Sequence, residues 1–360
     1  MKKNKTTTHT KKQSKPQALR KAKQIKLALD LSADRIVVVR QMDGATPQPA
    51  QRFSWEAFPV WVLKQVRQAQ EVYSCYEAGP FGYELHRRLE ELGVQNWVVH
   101  PVRLDPEHKR VKTDPSDALE LCQRLDRYVS GNRKAFSVLR VPTLEQELAR
   151  SQSRQREQWL EHRKRWEAQG RSLLLYYGHR VRGRWWYGKP WEQLQETLPK
   201  ALLALVEPLR EETLRLWRQL QEKTRELMQN APTLPVGFGG LTGEILRREM
   251  LDWEGFSNRR QVGSITGLCP GISASGNYRR EGPVTKRGRR RVRVVLVELA
   301  WRLTRFQPDY PPVKQFYERC RNRRSVAGRK KAIVALARRA AIDWWRMATG
   351  RSTAQKLGLK

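Results

Sequence analysis

Four acidic side chains in the first half of the chain stand where they could share a metal ion. Asp30 and Glu77 each end an apolar segment, and Asp114 and Asp117 open a later helical segment. An ionised carboxylate that ends a buried strand is costly unless it is paired or bound to metal. We therefore expect the four acids to converge at one edge of a sheet and to bind one or two Mg²⁺ ions, which prefer oxygen ligands.

The Asp114-Pro115-Ser116-Asp117 segment also has a purely structural explanation. Asp114 suits the N-cap of a helix, Pro115 suits its first position, and Asp117 suits the first turn. For this pair alone a helix start is the simpler interpretation. The convergence of all four acids favours a metal site, where two ions could activate an attacking oxygen and stabilise a leaving one at a phosphodiester.

A serine in the second half stands beside a dense group of cations. Ser275 precedes Gly276, and Ser273 is a near neighbour that we keep as an alternative nucleophile. The nucleic-acid-binding residues predicted around it are Arg279, Arg280, Lys286, Arg287, Arg289, Arg290, Arg291 and Arg293. A hydroxyl needs a base or a metal to become nucleophilic, and guanidiniums could stabilise charge on a phosphate. Composition alone favours a flexible loop beside a nucleic-acid-binding helix.

Two further segments could contact phosphates. The glycine-rich residues 235–243 lead into a helix, whose N-terminal amides could hold an anion, although a tight turn explains them equally. Arg329, Lys330 and Lys331, with Arg338 and Arg339, form a third basic stretch on an amphipathic helix. It could bind a nucleic-acid backbone or simply face solvent.

The charge of the chain indicates a polyanionic partner. Its 360 residues include 71 Lys and Arg against 36 Asp and Glu, a net charge of +35. The sequence contains neither a membrane-spanning stretch nor a secretory signal, so nucleic acid is the expected partner and the cytoplasm the expected compartment. The four cysteines are far apart in sequence, so we expect packing roles and no zinc site or disulfide.

The pattern of apolar residues predicts the fold class. Residues 25–30, 35–40, 72–77 and 94–99 are strand-like, and residues 61–70, 83–92 and 115–128 are helical. A hairpin followed by alternating strands and helices predicts an α/β domain with a mixed sheet over residues 25–140, after a disordered basic tail over 1–24.

The remainder of the chain is predicted to be helical. Residues 141–230 read as a helical linker, two long helices joined by a tryptophan-rich hairpin, for which a coiled-coil partner interface is moderately favoured over an intramolecular pair. Residues 231–350 form a mainly α serine-bearing domain, and residues 351–360 a tail.

The ordered series of motifs resembles the DEDD transposases of bacterial insertion sequences, relatives of the Piv/MooV DNA invertases. The resemblance covers roughly residues 25 to 345. Its motifs are Ala28-Leu29-Asp30, Tyr76-Glu77-Ala78-Gly79, Lys112-Thr113-Asp114 through Asp117, the glycine-rich loop, Gly267-Leu268-Cys269-Pro270, Ser275-Gly276 and Thr285-Lys286-Arg287-Gly288.

The resemblance implies a RuvC-like domain of ribonuclease H fold with Mg²⁺ held by Asp30, Glu77, Asp114 and Asp117. It implies that Ser275 attacks DNA and forms a phosphoserine link. It also implies a homo-oligomer, a dimer or tetramer, that joins donor and target DNA with a structured guide RNA encoded by the element. The family's second motif usually has small or aliphatic residues where Ser74, Cys75 and Tyr76 stand here.

Three functions remain open from the residues. The first is a serine recombinase of this kind. The second is a metal-dependent junction-resolving nuclease, in which water attacks the DNA. The third is a non-catalytic protein that organises DNA or RNA.

Overall fold

The computed structural model describes residues 21–101, 114–229, 231–276, 278–322 and 325–360. They form two compact units, residues 1–141 and 142–360. The predicted basic tail lies outside the described residues as far as residue 20. The side chain of Asp114 also lies outside them.

The first unit is built on a five-stranded mixed sheet. Its elements are β1 (Ala22–Leu31), β2 (Ile36–Met42), β3 (Gln51–Phe53), α1 (Ala57–Gln68), β4 (Ala69–Glu77), α2 (Glu84–Glu91), β5 (Gln95–Val99) and α3 (Asp114–Val129). The strand order is β3-β2-β1-β4-β5, with β1 antiparallel to β2 and parallel to β4. The predicted α/β domain with a mixed sheet is confirmed. The short strand β3 was not predicted.

Both faces of the sheet are covered, which explains its nearly continuous apolar strands. One face carries Ile25, Leu27 and Leu29 of β1 and packs against residues of α1 and α2. The opposite face carries Ala28 of β1 and Cys75 of β4 and packs against α3. Since side chains alternate along a strand, Asp30 and Glu77 share this second face with Ala28 and Cys75.

The second unit is mainly helical. Its elements are α4 (Leu144–Tyr176), α5 (Lys189–Thr197), α6 (Lys200–Met228), α7 (Gly240–Met250), α8 (Arg259–Thr266), β6 (Pro270–Ser275), β7 (Tyr278–Val284), α9 (Arg290–Phe306), α10 (Pro311–Asn322), α11 (Val326–Ala348) and a 3₁₀ turn (Gln355–Leu357). The predicted helical C-terminal part is confirmed, and it also contains one β-hairpin. No helix in the described ranges is long and apolar enough to cross a membrane.

The two long helices α4 and α6 pack against each other within one chain. The buried face of α6 includes Leu202, Val206, Leu209, Thr213, Leu216 and Leu220, at alternating spacings of four and three residues. This spacing is typical of a coiled-coil seam. In this structure α4 packs on the seam, so α4 and α6 form an intramolecular pair. The sequence had moderately favoured a partner interface at this position.

The tryptophan-rich segment closes the end of this helical pair. Trp185 and Trp186 are fully buried. The indole nitrogen of Trp185 donates a hydrogen bond of 3.0 Å to the backbone oxygen of Glu167. Its ring covers Gly170 so closely that a Cβ there would overlap it. The segment therefore has a packing role, one that the sequence did not reveal.

The C-terminal core forms around α9 and α11. The last ten residues, predicted to be a tail, pack onto this core: Leu359 is buried in it. The backbone oxygen of Lys360 accepts hydrogen bonds from Val236 N and from Gln307 Nε2. The helices α4 and α6 both contact α7, so the predicted linker and the serine-bearing segment share one compact unit.

A Gly170→Ala substitution should destabilise the helical pair, although alanine ordinarily stabilises a helix relative to glycine. The added Cβ must displace the Trp185 ring, which we expect to lower the free energy of unfolding by about 1–3 kcal/mol. Urea unfolding followed by tryptophan fluorescence measures this change. In a Trp185→Ala background the same substitution should be neutral or stabilising. An equal loss in both backgrounds would contradict the packing role.

Candidate active site

The pairing of β1 with β4 places two of the predicted acids side by side. Leu29 is the register partner of Tyr76 in this parallel pair, so the next positions, Asp30 and Glu77, also lie opposite each other. Both strands run in the same direction and end at the same edge of the sheet. The structure therefore brings Asp30 and Glu77 together on the face covered by α3.

An ion pair holds the C-terminal part of α3 against that face. Lys26 Nζ lies 2.7 Å from an oxygen of Asp126, near the C-terminal end of α3. Four residues of strand and nine residues of helix each span about 13 Å. Further toward its start, α3 places Cys122 near Cys75, the register partner of Ala28. The start of α3, with Asp117, is therefore directed toward the strand end that carries Asp30. Asp117 is half-buried beside Ala118, which packs on the sheet.

The acids are more accessible than the sequence suggested. Asp30 is half-buried and Glu77 is exposed, so the cost of burying their charge does not by itself require a metal. Each of them has an interaction with another group. The described residues include no cluster of three His, Cys, Asp or Glu side chains that could hold a metal ion as they stand. The fourth acid, Asp114, heads α3, but its side chain is not described.

Two buried thiols form part of the layer beneath the acids. Burial, together with the nearby Cys122 and Glu77, raises the pKa of the Cys75 thiol well above its ordinary value. Burial raises the pKa of Cys122 to about 12. Both groups therefore stay protonated near neutral pH and pack as small apolar side chains. All four cysteines are free.

The predicted nucleophile stands at the tip of a β-hairpin in the second unit. Ser275 ends β6, and it pairs across the hairpin with Tyr278. Ser273 pairs with Arg280. Since paired and alternate residues share a face, both serines, Tyr278 and Arg280 lie on one side of the hairpin. All four side chains are exposed, and among the described residues the Ser275 hydroxyl has no hydrogen-bond partner.

Two glycines anchor the base of this hairpin. Gly267 ends α8 with φ +65°, and Gly288 has φ +123°, a conformation that favours glycine. A Cβ at Gly267 would overlap the backbone oxygen of Arg287, and one at Gly288 would overlap that of Ile265. Arg289 N also donates a hydrogen bond of 3.0 Å to Ile265 O. These glycines therefore let the chain after the hairpin pack directly against the end of α8.

The basic residues around the hairpin fall into two groups. The exposed members are Arg279, Arg280, Lys286, Arg287 and Arg290. Arg291 is instead engaged inside the unit: it lies against Glu157, donates to Glu249 at 2.9 Å, and donates to the backbone of Ser153 at 2.7 Å.

Arg293 is engaged in the same way, because its guanidinium contacts the backbone oxygens of Thr266 and Lys286. Arg289 is half-buried and has a partner. Sequence reasoning could not separate these structural arginines from the exposed ones, since all stand in one basic run.

A buried glutamate holds α4, α7 and α9 together. Glu249 is 2% exposed and lies 3.1 Å from Arg154 and 2.9 Å from Arg291. Burial raises the pKa of its carboxyl. The hydrogen bonds and charges of the two arginines lower the pKa by more than burial raises it, so the pKa lies below its ordinary value. The sequence did not reveal the role of this residue. Its signal is weak, because the same helix also buries the polar residues Thr242 and Glu244.

The glycine-rich loop before α7 is a close-packed turn. Gly237 and Gly239 have φ of +88° and +71°. A Cβ at Gly237 would press on Phe306, and one at Gly239 would press on the guanidinium of Arg302. Arg302 also donates to the Thr242 hydroxyl. Of the two interpretations left open by the sequence, the structure supports the tight turn.

Comparisons with known proteins place these features in a family. The sequence model of the Transposase IS116/IS110/IS902 family matches residues 232–318, which include the hairpin. The chain is 30% identical over 304 residues to a Sinorhizobium fredii protein named as a transposase, y4rJ, covering 75% of each chain. A second such protein of that organism, y4qE, is 29% identical over 259 residues, 69% of this chain and 62% of the relative.

A shorter match joins the chain to the transposase for the insertion sequence element IS1533 of Leptospira borgpetersenii. It is 35% identical over 69 residues, 19% of this chain and 20% of that protein. An acid-bearing mixed sheet, a basic hairpin and these relatives together define the class as that of a transposase. The chain belongs to the IS116/IS110/IS902 family of transposases.

A Glu249→Gln substitution should loosen the contact between α4 and the core and lower the free energy of unfolding at pH 7 by about 3 kcal/mol. The carboxyl has a folded pKa below its ordinary 4.5. Its stabilisation is therefore present above that value and is lost as the pH falls through the folded pKa.

Urea unfolding at pH 7 and at a series of lower pH values tests this prediction. The difference between the wild-type protein and Glu249→Gln should shrink as the pH is lowered. Glu161→Gln, which changes an exposed glutamate of α4 paired with Lys164, serves as the matched control with little effect. A pH-independent difference would contradict the assigned ion pairs.

Proposed function

We propose that the chain is a DNA recombinase of an insertion sequence, in which the Ser275 hydroxyl attacks a DNA phosphate and the four acids bind Mg²⁺. The observation that carries the proposal is the register of β1 and β4, which brings Asp30 and Glu77 to one sheet edge under the start of α3. Membership of a transposase family supports DNA cleavage and rejoining as the reaction class.

In the proposed reaction the Ser275 oxygen forms a bond to phosphorus and loses its proton to a base. The bond from phosphorus to one DNA oxygen breaks, and that oxygen leaves as a hydroxyl after it takes up a proton. The product is a phosphoserine link to one DNA end. Attack by a hydroxyl of the other DNA reverses the step and releases the serine, so the number of phosphodiester bonds is conserved.

The residues of the second unit suit the attack step. Ser275 is exposed at a hairpin tip, where a DNA strand can reach it, and Arg280 lies on the same face two positions from the tip. A guanidinium there can donate to phosphate oxygens and stabilise the charge that grows on them. The hydroxyl still needs an activating group, which none of the described hairpin residues contributes.

The acids of the first unit would provide that activation. Asp30, Glu77 and Asp117, with Asp114 at the head of the same helix, are the oxygen donors that Mg²⁺ prefers. When bound, the ion supplies Lewis-acid stabilisation of the attacking and leaving oxygens. We propose, as the resemblance to the DEDD transposases implies, that the acids and the serine act together in a homo-oligomer, a dimer or tetramer.

A RuvC-like fold and nucleic-acid partners are also part of the proposal. An antiparallel β3-β2-β1 meander continued by the parallel strands β4 and β5 supports a RuvC-like, ribonuclease H fold for the first unit. The net charge of +35 supports simultaneous binding of donor DNA, target DNA and a structured guide RNA, in the cytoplasm of the host cell.

A junction-resolving nuclease is the second candidate. It keeps the acids and uses water as the nucleophile. The separation of the acids and the serine into two compact units favours it, since the acids of the first unit could act on water without the serine. Membership of a transposase family argues against the third function, a non-catalytic protein that organises nucleic acid.

Replacing the serine separates these functions. A Ser275→Ala protein should form no covalent adduct, because the atom that bonds to phosphorus is removed. End-labelled DNA carrying the element's ends is incubated with protein, Mg²⁺ and the element's transcript, then resolved on a denaturing gel. The wild-type protein should give a protein-linked band that protease shifts.

Ser273→Ala is the matched control, since it removes a hydroxyl from the same face of the same hairpin. It should keep the adduct. A Ser275→Ala protein that still forms the adduct would overturn the assignment, and loss of the adduct in Ser273→Ala alone would move it to Ser273. Cleaved DNA without a protein-linked band in the wild-type reaction would favour the nuclease.

A further inference from the structure

A groove of about 940 Å³ lies in the second unit between the base of the hairpin and helices α10 and α11. Pro270, Pro283 and Val284 of the hairpin line one side of it. Phe316 of α10 and Val334 of α11 contribute apolar surface from the other side. The groove therefore combines an apolar lining with direct continuity to the strands that carry Ser275.

The groove is strongly positive. Its cationic residues are Arg319 of α10 and Lys330, Lys331, Arg338 and Arg339 of α11. Glu281, the acidic residue in the lining, lies 3.9 Å from Arg279. In the described part of the chain, Arg319, Lys330, Lys331 and Arg338 have no salt-bridge partner. So many uncompensated cations on one concave surface repel one another unless an anion lies between them.

One of these cations is held in place from below. Arg339 Nε lies 2.9 Å from an oxygen of Asp343, which is 1% exposed. The same oxygen accepts a hydrogen bond of 2.6 Å from the buried Tyr310 hydroxyl. Burial and the Asp343 charge raise the pKa of Tyr310, so the hydroxyl remains a donor. This pair fixes the guanidinium of Arg339 at the groove, an arrangement that suits a directional contact with an anion.

The distance between the groove and the hairpin tip indicates how long a ligand that reaches both would be. From Pro270 to Ser275 the strand advances five residues, or about 16 Å. A strand of B-form DNA covers this distance in about five nucleotides, at 3.4 Å for each. A strand whose phosphate reaches Ser275 would therefore place phosphates a few nucleotides away beside the groove.

We propose that this groove binds the sugar–phosphate backbone of a DNA strand that leads to the hairpin tip. Arg319, Lys330 and Lys331 neutralise phosphates, and the proline and valine side chains contact the sugars. The choice of DNA rests on the proposed function. This proposal assigns DNA as the partner of the third basic stretch of the sequence. Four of its cations line the groove: Lys330, Lys331, Arg338 and Arg339.

The test compares two double variants of the full-length chain that lose the same charge. Lys330→Ala/Lys331→Ala removes two exposed cations of the groove. Lys189→Ala/Lys200→Ala removes two exposed lysines, at the starts of α5 and α6, outside the groove lining. Equilibrium binding of a fluorescent DNA duplex, and of an RNA duplex of the same sequence, is measured by anisotropy over a range of salt concentrations.

The groove variant should bind DNA about tenfold more weakly than the control variant at 0.15 M salt, and its plot of log K against log salt should be shallower by about two units of slope. Equal binding and equal slopes for the two variants would overturn the groove. A loss of RNA binding with unchanged DNA binding would overturn DNA as its occupant.

This binding assay needs no strand cleavage. A failure of Ser275 as the nucleophile would therefore appear in the adduct assay alone, and a failure of the groove in the anisotropy assay alone. Circular dichroism and a melting curve for each variant establish that the chain is folded. Arg319→Ala, on α10, provides a second groove variant that should weaken DNA binding independently of α11.

Discussion

The parallel pairing of β1 with β4 is the constraint on which the candidate active site depends. A shift of one residue in this register would turn alternate side chains to the opposite face and separate Asp30 from Glu77. The Lys26–Asp126 ion pair holds α3 against β1, because a buried ammonium, 4% exposed, must keep its carboxylate partner. That requirement fixes α3 on the sheet and directs its acidic start toward the strand ends.

In the second unit, charge serves two different purposes. Arg154 and Arg291 pair with the buried carboxylate of Glu249 and hold α4, α7 and α9 together. The cations of the hairpin and of the groove lining are mostly exposed, and most have no acidic partner among the described residues. Removing a cation from the first group should weaken folding, whereas removing one from the second should weaken nucleic-acid binding. The hairpin of β6 and β7 is held at its base by Gly267 and Gly288, and its tip is exposed.

Much of this architecture could be predicted from the sequence. The apolar strands, the strand-to-helix alternation and the positions of Asp30 and Glu77 at strand ends are local patterns, and the mixed sheet they predict is confirmed. Long-range partners could not be predicted. Lys26 inside an apolar strand signals a buried charge, but nothing in the sequence identifies Asp126, 100 residues away, as its partner. For the same reason the sequence could not distinguish the buried structural role of Arg291 from the exposed position of Arg290. It also could not predict that Trp185 packs against Gly170.

The central claim is that Asp30 and Glu77 share a divalent cation at the edge of the sheet. Titration with Mn²⁺, followed by the loss of the free-ion signal in electron paramagnetic resonance, measures this directly. Glu91→Gln, an exposed acid of α2, provides a control of equal charge. The account predicts that the wild-type protein and Glu91→Gln bind Mn²⁺ alike, while Asp30→Asn and Glu77→Gln each bind it at least about tenfold more weakly. Equal Mn²⁺ affinity in all four proteins would contradict it.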